Sequence, residues 1–89
     1  MNIPMARARP RLRAPFRIEW DAYRRTVAIV HPLGRAELNR SAGEILSLCD
    51  GTRALDDIID ALEARFHATG LAADVSRFID EARSRGWLD

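Results

Sequence analysis

The spacing of apolar residues changes near the middle of this chain. Before Asn39 apolar and polar residues alternate, which is typical of strands with one buried face, and after it they recur at the three- and four-residue spacing of amphipathic helices. The 89 residues suffice for one small domain and exclude α/β barrels and doubly wound dinucleotide folds. We therefore expect an α+β fold, with a three-stranded antiparallel sheet followed by three helices, similar to a winged helix-turn-helix.

Three short strands are predicted in the first half of the chain. They lie at residues 16–20, 26–31 and 35–38, separated by a hairpin loop and by the turn Pro32-Leu33-Gly34. The third strand leads directly into the helical half, so we expect one of its edges to be unpaired. An unpaired edge is a hazard unless something covers it, and an added strand from a partner is one such cover.

Three helices are predicted in the second half. Ser41 and Glu44 have the spacing of a capping box, and Gly51 is the expected left-handed stop of the first helix. The second helix follows Ala54, a poor N-cap, and ends near His67; the third covers about residues 72–85. The predicted apolar faces comprise Ala42, Ile45, Leu46 and Cys49; Leu55, Ile58, Ile59, Leu62 and Phe66; and Val75, Phe78, Ile79 and Ala82.

Charge is unevenly distributed along the chain. Fourteen Arg and no Lys oppose thirteen acidic residues, but residues 1–17 hold five Arg and no acid, so the remaining residues carry −4. Prolines and arginines dominate residues 1–15, which predicts a flexible basic N-terminal arm before a domain at residues 16–89. A helix facing DNA phosphates would be disfavoured by Asp74, Asp80 and Glu81, so we expect no nucleic-acid partner.

The sequence contains no arrangement typical of catalysis. Cys49, His31 and His67 lie on three different predicted elements, so we expect neither a metal site nor a cofactor. Cys49 lies on an apolar helix face, where burial makes a thiol inert. The chain is therefore predicted not to be an enzyme. Its apolar runs are too short to span a membrane and its single cysteine suits a reducing compartment, so we expect a soluble, cytoplasmic protein with no membrane partner.

The segment Leu38-Asn39-Arg40-Ser41-Ala42-Gly43-Glu44-Ile45-Leu46-Ser47-Leu48-Cys49-Asp50-Gly51 resembles the PqqD family of pyrroloquinoline quinone biosynthesis. The family pattern in this region is close to L-N-x-S-A-x-x-I-L-x-L-C-D-G, followed by a helix with paired isoleucines, here Ile58 and Ile59. The resemblance extends from about residue 16 to the closing Gly86-Trp87-Leu88-Asp89. It does not reach the basic arm, whose role it leaves open.

The resemblance implies a non-catalytic peptide chaperone, a type of RiPP recognition element. Such a protein binds the precursor peptide PqqA and presents it to PqqE, a radical S-adenosylmethionine enzyme. The peptide would add as a strand beside the third strand, over a groove walled by the third helix. The candidate peptide-binding residues are Arg35, Ala36, Glu37, Leu38, Val75, Phe78, Ile79, Ala82 and Arg85.

Several alternatives stay open at this point. Val75, Phe78 and Ile79 also fit an ordinary core stripe, which would remove them from the groove. The chain could recognise the leader peptide of another ribosomal-peptide modification pathway, or it could be a winged-helix DNA-binding protein. The free edge and the arm also leave a homodimer open.

Overall fold

The computed structural model describes residues 8–89 and confirms the predicted fold class. Three strands come first and three helices follow, as the change in apolar spacing predicts. The strands are β1 (Arg17–Asp21), β2 (Thr26–His31) and β3 (Gly34–Leu38), and the helices are α1 (Arg40–Ser47), α2 (Leu55–Phe66) and α3 (Ala72–Ser84).

The strands form an antiparallel sheet in the order β1-β2-β3. Ile18, Ile29 and Ala36 are aligned across the three strands, and because Ile29 belongs to the core, this row faces the helices. Residues one position along each strand point to the other face, where the Arg35 guanidinium lies 3.5 Å from the Glu19 carboxylate. The sheet thus has an apolar face under the helices and a charged outer face.

Helix α1 lies close against the sheet at Gly43. A Cβ atom at this position would come within 2.8 Å of Val27 Cγ1 and 3.2 Å of the Trp20 ring. Glycine is a poor helix former, but here its missing side chain lets the helix backbone approach β2. The core continues from this contact through the inner faces of all three helices, with Leu46, Ile58 and Ile79 fully buried.

The first turn of α1 is capped by Asn39, which corrects the predicted capping box at Ser41 and Glu44. The Asn39 side-chain oxygen accepts a hydrogen bond from the Ala42 N–H at 2.7 Å. Glu44 is instead buried, and its carboxylate lies 3.2 Å from Arg65 and 3.8 Å from Arg40. A carboxylate taken out of water needs cationic partners, so Glu44 ties α1 to α2 rather than capping α1.

The other helix ends lie where the sequence predicts them, except for the end of α1. Gly51 has the expected positive φ of 85°, but α1 already ends at Ser47, so Gly51 belongs to the following loop. Helix α2 starts after Ala54 without a side-chain cap, and the Asp57 carboxylate accepts a hydrogen bond from the Ala54 N–H at 3.3 Å. It ends at Phe66, and the next residue, His67, has a left-handed backbone conformation.

Residues 8–13, called the strap below, do not form the flexible arm that their composition favours. The Pro10 carbonyl accepts from the Gly51 N–H, and the Leu12 N–H donates to the Cys49 carbonyl. Arg11 and Arg13 form backbone hydrogen bonds to the last residues of the chain. Pro10 is fully buried, and Leu12 packs against the core. Backbone pairing on both sides therefore fixes this part of the predicted arm; residues 1–7 lie outside the described residues.

Within residues 8–89, none of the helices is both long enough and apolar enough to cross a membrane.

Candidate functional site

The outer edge of β3 is the feature that the sequence singles out as a site. β3 pairs with β2 along one edge only, from Gly34 opposite His31 to Leu38 opposite Val27. Among residues 8–89, no backbone group forms a hydrogen bond to its other edge. Because successive residues of a strand point their N–H and C=O groups to alternate edges, this edge offers a ladder of unmatched donors and acceptors.

The helix-facing side of β3 is open beside Ala36. Ala36 points to the same side as its neighbour Ile29, yet Ile29 is buried and Ala36 is exposed. Val75 and Ile79 of α3 belong to the same core cluster as Ile29. At Ala36 the core thus extends to β2 but not to β3, although Leu38, two residues further on, packs against the core. This leaves space beside Ala36 for additional chain.

The structure divides the predicted residues of β3 between the two sides of the sheet. Ala36 and Leu38 face the helices, and Leu38 is half-buried. Arg35 and Glu37 point to the outer face and are exposed. An added strand would meet the backbone of all four residues, but only the first pair would contact side chains on its inner side.

The predicted residues of α3 are not equally accessible. Val75, Ile79 and Ala82 expose only 3%, 1% and 0% of their surface. They therefore belong to the core, which is the alternative stated above, and do not line a groove. Phe78 is half-buried. Arg85 is exposed, forms a 2.9 Å ion pair with Glu81, and stacks on the Trp87 ring with its guanidinium carbon 5.4 Å from the ring centroid.

A cavity of about 570 Å³, which the sequence does not predict, lies at the Leu38 end of β3. Trp20, Val27 and Leu38 provide its apolar part, and Arg25 and Arg40 are among its charged lining residues. Trp20 is 48% exposed, and its indole N–H donates to Ser47 Oγ at 3.3 Å. No local sequence pattern indicates this cavity, because the exposed part of the Trp20 ring depends on how far α1 extends over the sheet.

Two aromatic rings mark the opposite end of the edge. The rings of Phe16 and His31 have centroids 4.9 Å apart, and His31 pairs with Gly34, the first residue of β3. His31 Nδ1 accepts a hydrogen bond from the Leu33 N–H at 3.0 Å, which orients the imidazole. The free edge therefore runs between an aromatic pair and the Trp20 cavity.

Cys49, the single cysteine of the chain, is buried and unreactive. Burial raises the pKa of the Cys49 thiol to about 12, and the nearby positive charge of Arg83 offsets only part of this effect. A thiol held neutral in this way is a poor nucleophile, as the sequence predicts. No cluster of three or more His, Cys, Asp or Glu side chains in the described part of the chain is arranged to hold a metal ion.

Comparison with known proteins gives consistent matches. Residues 25–88 match the model of the family described as "Coenzyme PQQ synthesis protein D (PqqD)". The PqqA binding protein of Methylococcus capsulatus is 38% identical over 72 residues, covering 81% of this chain and 77% of the relative. The PqqA binding protein of Azotobacter vinelandii is 37% identical over 81 residues, covering 90% of this chain and 88% of that protein.

A solved structure has the same fold. It is the solution NMR structure of the PqqD truncation of Methylobacterium extorquens PqqCD, described as a functional and stand-alone RiPP recognition element. The match has a TM-score of 0.69 and covers 96% of each chain, at 21% sequence identity.

Proposed function

Since the chain belongs to the PqqD family, we propose that it is a non-catalytic recognition protein that binds the precursor peptide PqqA and presents it to the enzyme PqqE. The peptide adds as a fourth strand on the free edge of β3. Main-chain hydrogen bonds to residues 35–38 supply affinity, and side chains at the two ends of the edge supply specificity.

The unpaired edge of β3 is the observation that carries this proposal. Exposed edges promote unwanted pairing, and natural proteins cover them, charge them or use them. Here the charged residues Arg35 and Glu37 lie on the outer face, while the inner side beside Ala36 is open. Such an edge accepts an extended peptide whose apolar side chains turn toward the core.

The choice of peptide is supported by the relatives. Proteins named PqqA binding protein align with 81% and 90% of this chain. The family match at residues 25–88 includes β3 and all three helices. We include presentation to PqqE in the proposal because the resemblance to the PqqD family implies it. A peptide held as an edge strand keeps the residues beyond that strand free for a second protein.

Amide hydrogen exchange with and without PqqA tests the binding mode. In the free protein, alternate amides of residues 35–38 bond to β2 and the others face solvent. We expect PqqA to slow exchange at every second residue of this segment, either at Arg35 and Glu37 or at Ala36 and Leu38. Arg35→Ala changes only an outward side chain that pairs with Glu19 on the outer face, and it should leave PqqA affinity nearly unchanged.

Two results would contradict this binding mode. One is protection confined to α2, whose exposed Asp56 and Asp60 serve as the distant reference. The other is a large loss of affinity in Arg35→Ala with no new protection in β3, which would indicate a side-chain contact instead. If PqqA does not bind but the leader peptide of another pathway gives the alternating protection, the binding mode stands and the pathway is the alternative one.

A further inference from the structure

We propose that the strap is a second binding surface, which takes an acidic, extended segment of a partner protein. Its residues carry three of the arginines that the sequence concentrates near the N-terminus, and the peptide site on β3 does not use them. The proposal is independent of the function assigned above, because it rests on a different part of the molecule.

The strap pairs with one segment on each side through isolated backbone bridges, which together form a small ladder. On one side it pairs with the loop after α1, through an antiparallel bridge between Arg11 and Asp50. On the other side the Arg11 carbonyl accepts from the Asp89 N–H, and the Arg13 N–H donates to the Trp87 carbonyl at 2.8 Å. Both edges of the strap are therefore occupied, and a partner can reach it only through side chains.

Alternation along the strap places its arginines on one face. Pro10 and Leu12 turn inward to the core, whereas Arg9, Arg11 and Arg13 are exposed. In an extended chain, residues two apart are separated by roughly 7 Å. The three side chains therefore leave the backbone as a row, from positions that the core and the two flanking segments hold in place.

Much of the positive charge in this row is not neutralised by carboxylates. Arg9 donates to the Thr52 carbonyl at 3.2 Å. This hydrogen bond orients the guanidinium but does not neutralise its positive charge, because the acceptor is uncharged. Arg11 has no acidic partner in the described chain, and its stem packs over Gly51, where an added Cβ would lie 3.3 Å from Arg11 Cδ. Arg13 is 3.8 Å from the Asp89 carboxylate in an exposed, weak pair.

The carboxylate of Asp50, which pairs with Arg11 across the bridge, is already engaged. Asp50 accepts hydrogen bonds from the Thr52 N–H and hydroxyl, and it lies 3.3 Å from Arg53. These hydrogen bonds from Thr52 hold the pKa of Asp50 below its ordinary value, so it stays a carboxylate committed to its own loop. Arg9 and Arg11 are thus the guanidinium groups left for an incoming anion.

An extended segment with acids at alternate positions fits this row better than a nucleic acid does. Its carboxylates repeat at the same spacing of roughly 7 Å as the arginines, and each can form a bidentate pair with a guanidinium. Duplex DNA brings one charge per roughly 1.7 Å of its axis. The body beyond residue 17 carries −4 and would repel such dense negative charge.

The test measures binding of a short synthetic peptide with alternating Glu and Ser to the full chain at low salt. We expect the double variant Arg9→Gln/Arg11→Gln to bind it about five- to tenfold more weakly. The matched control Arg24→Gln/Arg77→Gln removes the same charge from two exposed arginines elsewhere and should leave binding within twofold, about the scatter of such measurements. Affinity for PqqA should be the same in both variants.

Four outcomes would overturn the proposal. The wild-type chain could fail to bind the alternating peptide, or the control pair could weaken binding as much as the strap pair, which would indicate a general charge effect. A single-stranded oligonucleotide could also bind more tightly than the peptide and lose this affinity in the strap variant, which would make the row a nucleic-acid surface. Tighter binding of a peptide with all its Glu residues contiguous would likewise contradict the register argument.

Discussion

At the scale of single residues, Gly43 shows how one missing side chain sets the distance between two layers. It lies inside α1, where alanine would be favoured by about 1 kcal/mol on helix propensity. The Val27 methyl groups and the Trp20 ring occupy the space that a Cβ would need. Helix propensity therefore favours alanine at this position, whereas packing against the sheet requires glycine. The packing requirement prevails because Val27 is buried and β-branched and cannot easily move away.

We predict that Gly43→Ala destabilises the protein by about 1–2 kcal/mol despite its better helix propensity, since overpacking costs more than the propensity returns. Urea unfolding followed by circular dichroism measures this. Gly34→Ala is the matched control, because an added Cβ there meets nothing within 4 Å. A Gly43→Ala variant as stable as the wild type would show that α1 can shift away from the sheet at little cost.

At the scale of elements, the start of α1 depends on Asn39 rather than on Ser41. Asn39 has the extended backbone of an N-cap, with φ −73° and ψ 166°, and its side chain holds the Ala42 N–H. Ser41 lies within the helix and is exposed. Both residues belong to the segment that resembles the family pattern, yet only one of them has a capping role.

Asn39→Ala should lower the free energy of unfolding by about 1 kcal/mol, the usual value of a side-chain N-cap, and Ser41→Ala should change it by less than about half of that. Thermal unfolding of the two variants under one condition gives the comparison. Equal losses would mean that Ser41 contributes to the cap after all.

The positions of the strands and helices could be predicted from the sequence because each element buries one face. A buried face makes apolar residues recur at a regular spacing, two in a strand and three or four in a helix. Helix ends were harder to predict, since Asn39 and Ser41 are both good caps and only the path of the chain out of β3 selects between them. Glu44 was misassigned for a related reason. Its capping-box spacing is a local signal, whereas its ion pair with Arg65 on α2 depends on how two helices pack.

The candidate site was predictable in part. The unpaired edge of β3 followed from the order of the elements. The burial of Val75, Ile79 and Ala82 did not, because an apolar helix stripe looks the same whether it faces the core or a groove. The Trp20 cavity depends on how far α1 extends over the sheet, which no local pattern specifies.

At the scale of the whole molecule, the strap connects parts of the chain that are far apart in sequence. It joins the loop after α1 to the segment after α3 and covers the core with Pro10 and Leu12. Its composition misled the prediction of a loose arm, although the alternation of arginine with Pro10 and Leu12 was a visible strand signal. The compact domain thus begins before the predicted boundary at residue 16.

Removal of residues 1–13 should therefore lower the free energy of unfolding by about 3 kcal/mol, through loss of two inward side chains and the ladder hydrogen bonds. Removal of residues 1–7 alone retains every described contact of the strap and is the control. Chemical unfolding of the two truncated chains and the full chain measures the difference. If both truncated chains had the same free energy of unfolding as the full chain, the strap would not contribute to stability.

The antiparallel pairing of the strap with the final segment also determines how the fold would respond to tension. Asp89 pairs with Arg11 and Trp87 pairs with Arg13, so a force that pulls Ala8 away from Asp89 enters the ladder at one end. In that geometry the hydrogen bonds are loaded one after another, as in a zipper, instead of sharing the force in shear. A tether attached at these two positions should peel the strap off at low force and leave the sheet and the helices to unfold in a later, separate event.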